Sequence, residues 1–182
     1  MHKTLEQLEQ DTDRVREAPA DRGSLEMIVI RPDVGERAVL DEARLDPGHG
    51  VVGDSWKDRG SGRTEDGSSH PDMQLNVISS RVLDLIAGGR DRWQLAGDQL
   101  CIDLDLSDDN LPPWTKLAIG EAVIEITDQP HTGCGKFSSR YGADALRWVN
   151  SPEGKALHLR GVNARVVQSG TIRTGDAVTK LH

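Results

Sequence analysis

The chain has 182 residues, of which 36% are hydrophobic, and carries a formal net charge of −8. That length gives one domain, or one domain with a tail, and it suffices to bury a real core. The acidic balance argues against nucleic acid or an anionic membrane as main partner, because phosphate binding needs a concentrated basic face.

Aromatic residues are only 3% of the chain, so Val, Leu, Ile and Ala must build the core. No run is apolar for long enough to span a bilayer, and the N-terminus is charged instead of basic-then-apolar, so a cytoplasmic protein is the expectation. In a reducing compartment the two cysteines, Cys101 and Cys134, read as free thiols. Two thiols are too few for the usual iron–sulfur centre or a Cys-only zinc site.

Residues 1–24 read as a charged, partly helical extension with Leu5, Leu8 and Val15 as a thin apolar set. It is expected to be a solvated tail or a packing helix for a partner subunit. Residues 25–182 read as one β-barrel-like domain. Its first strand is Leu25 to Ile30, closed by Arg31-Pro32, and Arg37 to Asp46 alternates as a half-buried second strand, giving a hairpin. Gly48 to Asp54 holds a very short strand between glycine turns, and Lys57 to Pro71 is a long surface loop.

Gln74 to Ile78 is a strand, and Ser79 or Ser80 then caps an amphipathic helix that ends at Gly88-Gly89. Leu100, Ile102, Leu104 and Leu106 alternate with polar residues, which puts Cys101 on the more polar side of its strand. Lys116 to Ile119 and Glu121 to Thr127 form a hairpin that delivers the chain to Pro130-His131-Thr132-Gly133-Cys134-Gly135-Lys136-Phe137. A helix of roughly Ser138 to Val149 follows, broken at Ser151-Pro152. Val162 to Gln168 and Asp176 to Leu181 are the last strands. Short strands with Gly turns and two or three helices favour a mainly β, barrel-like fold over a doubly wound sheet.

Gly48-His49-Gly50-Val51-Val52-Gly53 has the dinucleotide-binding spacing but no following helix, and no Gly-x-Ser-x-Gly elbow is present. His131 and Cys134 alone cannot hold zinc. His131 reads as a loop histidine bonded to backbone. Cys134 has two readings, a small buried hydrophobe or a working thiolate. Gly133 and Gly135 allow close approach of a ligand, while Lys136, Arg140 and the helix start supply positive potential. Local chemistry leaves both readings open.

Taken in order, Gly50-Val-Val-Gly-Asp54, Gln74-Leu-Asn-Val-Ile-Ser79, Gly97-Asp-Gln-Leu100, Leu117-Ala-Ile-Gly-Glu-Ala122, the Cys134 loop, Arg160-Gly-Val-Asn-Ala-Arg-Val166 and Gly175-Asp176 cover nearly the whole chain. This series resembles the MOSC domain, the molybdenum cofactor sulfurase C-terminal family. The resemblance implies a β-barrel whose characteristic cysteine, here Cys134, carries sulfur as a persulfide or ligates molybdenum of a pterin cofactor (molybdopterin). It further implies that Arg160, Arg165, Lys136 and Arg140 are candidate anchors for a pterin phosphate or substrate carboxylate, each with the plainer reading of a surface or salt-bridged cation. Asp54 and Asp98 join the candidate cofactor contacts, with turn capping as their simpler role.

The family more often has Gly-Glu-Asn-Leu where this chain has Gly97-Asp98-Gln99-Leu100. The chain leaves no room for a desulfurase domain, so pyridoxal phosphate is not expected, and a sulfur carrier would use a cysteine desulfurase or other donor in trans. The implied alternatives are a molybdenum-dependent reductase of N-hydroxylated compounds and, from another class, a non-catalytic small-anion-binding barrel. A small-molecule or pterin ligand is expected, and neither nucleic acid nor membrane.

Overall fold

The computed structural model describes residues 2–182; Met1, the first residue of the expected N-terminal extension, lies outside them. The strands are β1 (Arg22–Ile30), β2 (Ala38–Leu40), β3 (Glu42–Asp46), β4 (Gly50–Val51), β5 (Leu75–Ser79), β6 (Leu100–Asp103), β7 (Lys116–Ile119), β8 (Ala122–Ile126), β9 (Val162–Gln168), β10 (Gly170–Arg173) and β11 (Ala177–Lys180). The helices are α1 (Leu5–Arg16), α2 (Trp56–Arg59), α3 (Ser80–Ile86), α4 (Gly135–Tyr141), α5 (Ala143–Asn150) and α6 (Pro152–Ala156).

Seven strands, in the order β11-β7-β8-β9-β5-β6-β1, close on themselves through the β1–β11 pairing, so the expected barrel is present. Closure removes the exposed sheet edges that invite aggregation. The β5–β6 pair is parallel and is joined across α3, while the other barrel pairs are antiparallel. β2 extends β1 outside the closure, and β10-β3-β4 form a small second sheet.

Period-two patterning explains the interior. Leu75 and Val77, Leu100 and Ile102, Ala122, Ile124 and Ile126, and Val162, Ala164 and Val166 all point into one aliphatic core. In β1 the register shifts between Leu25 and Met27, so Leu25 and Ile28 face the interior while Met27 and Val29 face outward. The bulge lets one strand serve two cores.

The second core lies between the outer barrel face and the helices α1, α3, α4 and α5. Helix α1 begins at a capping box made by Thr4 and Gln7. It buries Leu8 and Val15, and Thr12 Oγ1 accepts a 3.0 Å bond from the Trp148 indole. The N-terminal helix therefore docks on its own domain instead of trailing as a tail or awaiting a partner.

Other expectations change in detail. Cys101 is buried at 2% exposure against the helical layer, and burial pushes its thiol well up. The alternating pattern runs on through Leu104 and Leu106, but β6 ends at Asp103. The helix expected from Ser138 to Val149 is split by Gly142, whose φ of +94° a side chain would resist. Pro152 opens α6 at a first-turn position, where its missing N–H is harmless. Strand β10 is an addition to the expected strands; its four residues alternate in burial, with Gly170 and Ile172 inward.

Candidate functional site at the Cys134 loop

Strand β8 feeds the loop that carries His131, Gly133 and Cys134 into α4. Cys134 occupies the position just before the helix, in extended conformation, and its carbonyl accepts the first helical bond from Ser138. The sulfur is exposed and free. The Phe137 N–H lowers its pKa most; slight burial works the other way, and the Lys136 N–H and the Arg160 and Lys136 charges add to the lowering. Neither amide closes a full hydrogen bond to the sulfur, so the effect is that of nearby dipoles.

The loop's position is fixed from behind by Asn150 at the end of α5. Its Oδ1 accepts from the Gly133 N–H at 2.9 Å, and its Nδ2 donates to the Gly133 carbonyl at 3.1 Å. Gly133 also packs so closely that a Cβ there would lie 2.7 Å from Leu146 and 3.0 Å from Val149. Glycine is required by contact, not by turn geometry.

Below the loop lies a buried triad. Arg160 donates to Asp98 at 2.7 Å and stacks with its guanidinium 5.0 Å from the Phe137 ring, while His131 Nε2 stands 3.5 Å from the other Asp98 oxygen. Burial opposes the Asp98 charge most strongly, yet Arg160 and His131 together outweigh it and hold the carboxyl below its ordinary range. Burial, reinforced by Arg160, pushes His131 down, so its ring is neutral at neutral pH.

His131 is thus not the backbone-bonded loop residue expected from sequence. It is the third member of a polar cluster under the cysteine. Asp98 is 1% exposed at its side chain and already engaged by Arg160.

Asp54 is buried and engaged in the same way. Its fully buried carboxylate accepts both arms of Arg31 at 3.0 and 3.1 Å, the Arg31 N–H at 2.7 Å and the Trp56 N–H at 3.0 Å. Gln99, from the segment where the chain departs from its family pattern, donates to Asp54 and to the Gln74 carbonyl and accepts from the Asn76 N–H. The separate motifs meet here: Asp98 holds the triad while Gln99 ties three chain segments together.

Of the other expected anchors, Lys136 lies beside Cys134 and is exposed. Arg140 spends one nitrogen on the Leu95 carbonyl. Arg165 is taken by Glu125 at 2.7 Å and Asp72 at 3.1 Å and sits over Trp114, so it offers no free fork to the Cys134 loop.

Three arginines that sequence reasoning missed join the basic group instead. Arg37 is pushed down first by burial and then by Arg140, Arg31 and Arg59, which means that four guanidinium groups share one neighbourhood with Asp54 as counter-charge. The Nε of Arg37 is buried without a partner, and exposed Arg59 makes no salt bridge among the described residues. A chain of net charge −8 thus concentrates positive potential here. Only Arg31, placed at a strand exit before Pro32, had any local signal.

One cavity borders the loop, and a second lies on the other side of Asn163. One of about 360 Å³ is lined by His131, Thr132, Asn150 and Arg160 among others, and one of about 330 Å³ by Arg31, Arg59, His70, Asn76 and Asn163. Asn163 donates to the Gln129 and Pro130 carbonyls and accepts from Asn76, which builds the partition between them. Cys134 lines neither cavity. Among the described residues no cluster of three metal-ligating side chains occurs, and no helix is long and apolar enough to cross a membrane.

The family model described as MOSC domain matches residues 66–179, well over half of the chain. No curated protein matches. Among solved structures, the YuaD protein of Bacillus subtilis superposes with a TM-score of 0.65 at 15% identity, over 86% of this chain and 94% of that one. YiiM of Escherichia coli gives 0.55 at 17% identity over 87% and 70%, and YiiM of Geobacillus stearothermophilus gives 0.53 at 13% over 91% and 75%. At such identities these likenesses speak for the fold, and the motif series for the sequence. The chain belongs to the MOSC domain family.

Proposed function

We propose that this chain is a molybdenum-cofactor-binding domain in which the Cys134 thiolate is the metal ligand. The observation that carries this reading is the exposed sulfur at the head of α4, held below the ordinary thiol range by two amides and flanked by Lys136 and Arg160. A thiolate is the ligating form of cysteine, and soft sulfur donors suit thiophilic metals. The residues fit the group: Lys136, Arg59 and Arg37 are the cations left to receive a phosphate, since Arg31 and Arg160 are paired with Asp54 and Asp98. When bound, the cofactor supplies redox chemistry at the metal, the basis for reducing N-hydroxylated compounds. Asn150 orients the loop, and the neutral His131 adds no charge beneath it.

A second reading, a persulfide carrier, is favoured by the exposure of the sulfur outside both cavities. The Cys134 thiolate would attack the outer sulfur of a donor persulfide. A new sulfur–sulfur bond forms at Cys134, the donor's breaks, and the donor leaves as a thiolate.

Native mass spectrometry of protein from a cofactor-competent host tests both. The mass of the cofactor, absent from Cys134→Ser, supports the first reading. A single added sulfur at Cys134, after incubation with a cysteine desulfurase and cysteine, supports the second. A bare wild-type chain in both experiments overturns both and leaves the small-anion-binding barrel.

A further inference from the structure

The cavity of about 330 Å³ has two walls of different kinds. Arg31, Asn76 and Asn163 come from the barrel, while Trp56, Arg59 and His70 come from the long segment between β4 and β5. No residue of that segment belongs to either aliphatic core. Its hydrogen bonds close on itself: Ser69 Oγ bridges the Trp56 and Lys57 carbonyls at 2.8 and 2.6 Å, the Ser61 N–H donates to Gly67 at 3.2 Å, and the Thr64 hydroxyl donates to Ser61 at 3.1 Å. Among the described residues its hydrogen-bonded ties to the barrel stand only at its ends. There the Trp56 N–H donates to Asp54 at 3.0 Å, and the Thr127 hydroxyl donates to the Asp72 carbonyl at 2.6 Å. A loop closed on itself and hinged at both ends opens and shuts as one unit.

The lining has donors to spare and no carboxylate. Arg31 is neutralised from behind by Asp54, which holds two of its nitrogens. Arg59 is exposed, and the charges that bear on it are that Arg31 and Asp54 pair, so its own charge stands uncancelled. His70 Nδ1 accepts the Asp72 N–H at 3.1 Å, which leaves Nε2 to carry the ring proton as a donor. An anion entering here meets one net positive charge, whereas a cation meets no counter-charge at all. Trp56 and Met73 add an apolar flank, and the volume falls within the range of small-ligand sites.

We propose that segment 56–70 is a lid, that the cavity beneath it holds the oxyanion end, carboxylate or phosphate, of a small molecule, and that Arg59 is the latch. The lid itself carries the charge that the ligand neutralises. Binding therefore draws Arg59 toward the barrel wall and holds the lid shut. The site goes beyond the cofactor reading and shares only Arg59 with it, so it stands whether or not Cys134 holds molybdenum.

The test uses the full chain from a host unable to make the molybdenum cofactor, with benzoate and phenyl phosphate as anionic probes and benzamide as the neutral one. Either anion should give saturable NMR shifts at the Trp56 indole and the Asn76 side chain, the tighter one naming the head group, and benzamide should bind more weakly. Arg59→Gln should weaken the anions by about tenfold or more, the loss of one charge-assisted hydrogen bond. Arg59 is exposed and outside both cores, so the fold stays intact. Arg63→Gln, on the same loop but off the cavity, should bind as wild type. With an anion at about ten times its Kd, trypsin cleavage after exposed Arg63 should slow by about tenfold, because the open, unliganded lid is the form that is cut. Cys134→Ser should bind the anions unchanged; loss of binding there overturns the separation of this site from the sulfur. Absence of saturable shifts overturns the site. Benzamide binding as tight as both anions overturns the ligand class, and an unchanged affinity in Arg59→Gln overturns the latch. Saturable binding with an unchanged cleavage rate overturns the lid.

Discussion

Replacing Asn150 by alanine removes both hydrogen bonds that hold Gly133, at 2.9 and 3.1 Å, and nothing else in the loop takes their place. Each such bond contributes about 1 kcal/mol net, so the pair is worth about 2 kcal/mol. Alanine returns at most a few tenths through its better helix propensity at the end of α5. For a chain of 182 residues the loss corresponds to a melting temperature lower by about 4–8 °C. The chemical consequence is separate. With Gly133 released, the Phe137 and Lys136 amides lose their fixed aim at the sulfur, so the Cys134 pKa should rise toward the ordinary thiol value. Thermal melts and the pH profile of iodoacetamide alkylation read the two effects, with the inflection of the profile moving to higher pH. An unshifted inflection together with a melting temperature within about 1 °C of wild type would refute the clamp.

Asp98→Asn leaves Arg160 buried without its counter-charge and should cost about 3–5 kcal/mol in urea unfolding; a loss below about 1 kcal/mol contradicts the buried pair. Stability should also fall in acid, because Asp98 and His131 both have lowered pKa values in the fold, so the unfolded chain binds more protons. For His131 the contribution is complete above 6.5 and is lost as pH falls through its lower folded value; for Asp98 the same holds below 3.8. His131→Phe should flatten the upper window, and an unchanged slope there counts against a neutral buried ring. Thr12→Val orphans the buried Trp148 indole N–H and should cost about 1–3 kcal/mol, with earlier proteolytic release of α1; a neutral outcome contradicts the docking of that helix.

The barrel was legible because its interior residues repeat every second position, in β5, β6, β8 and β9 alike, and because Gly turns separate them. Where one strand serves two cores, as β1 does across its bulge, the alternation breaks and the pattern misleads. Cys101 was misjudged for a related reason: its flanking acids suggested solvent, while the helices that cover its face come from distant parts of the chain. The exposure of Cys134 beside a helix start was legible from its flanking glycines and cations. The triad beneath it was not. Asp98, His131 and Arg160 are separated by long stretches of sequence, and charge pairing at such distances leaves no local periodicity. The Asn150 clamp was equally silent, an ordinary amide at a helix end whose partner lies 17 positions away. Sequence likewise could not show that the Arg165 guanidinium is already held by Glu125 and Asp72.

The most direct test of the central claim is the molybdenum content of wild-type and Cys134→Ser protein purified side by side from a cofactor-competent host. A thiolate ligand at the head of α4 predicts near-stoichiometric molybdenum in the wild type and little in the variant, with both chains folded. Equal molybdenum in the two would show that the metal does not depend on Cys134, and its absence from both would contradict the cofactor reading outright.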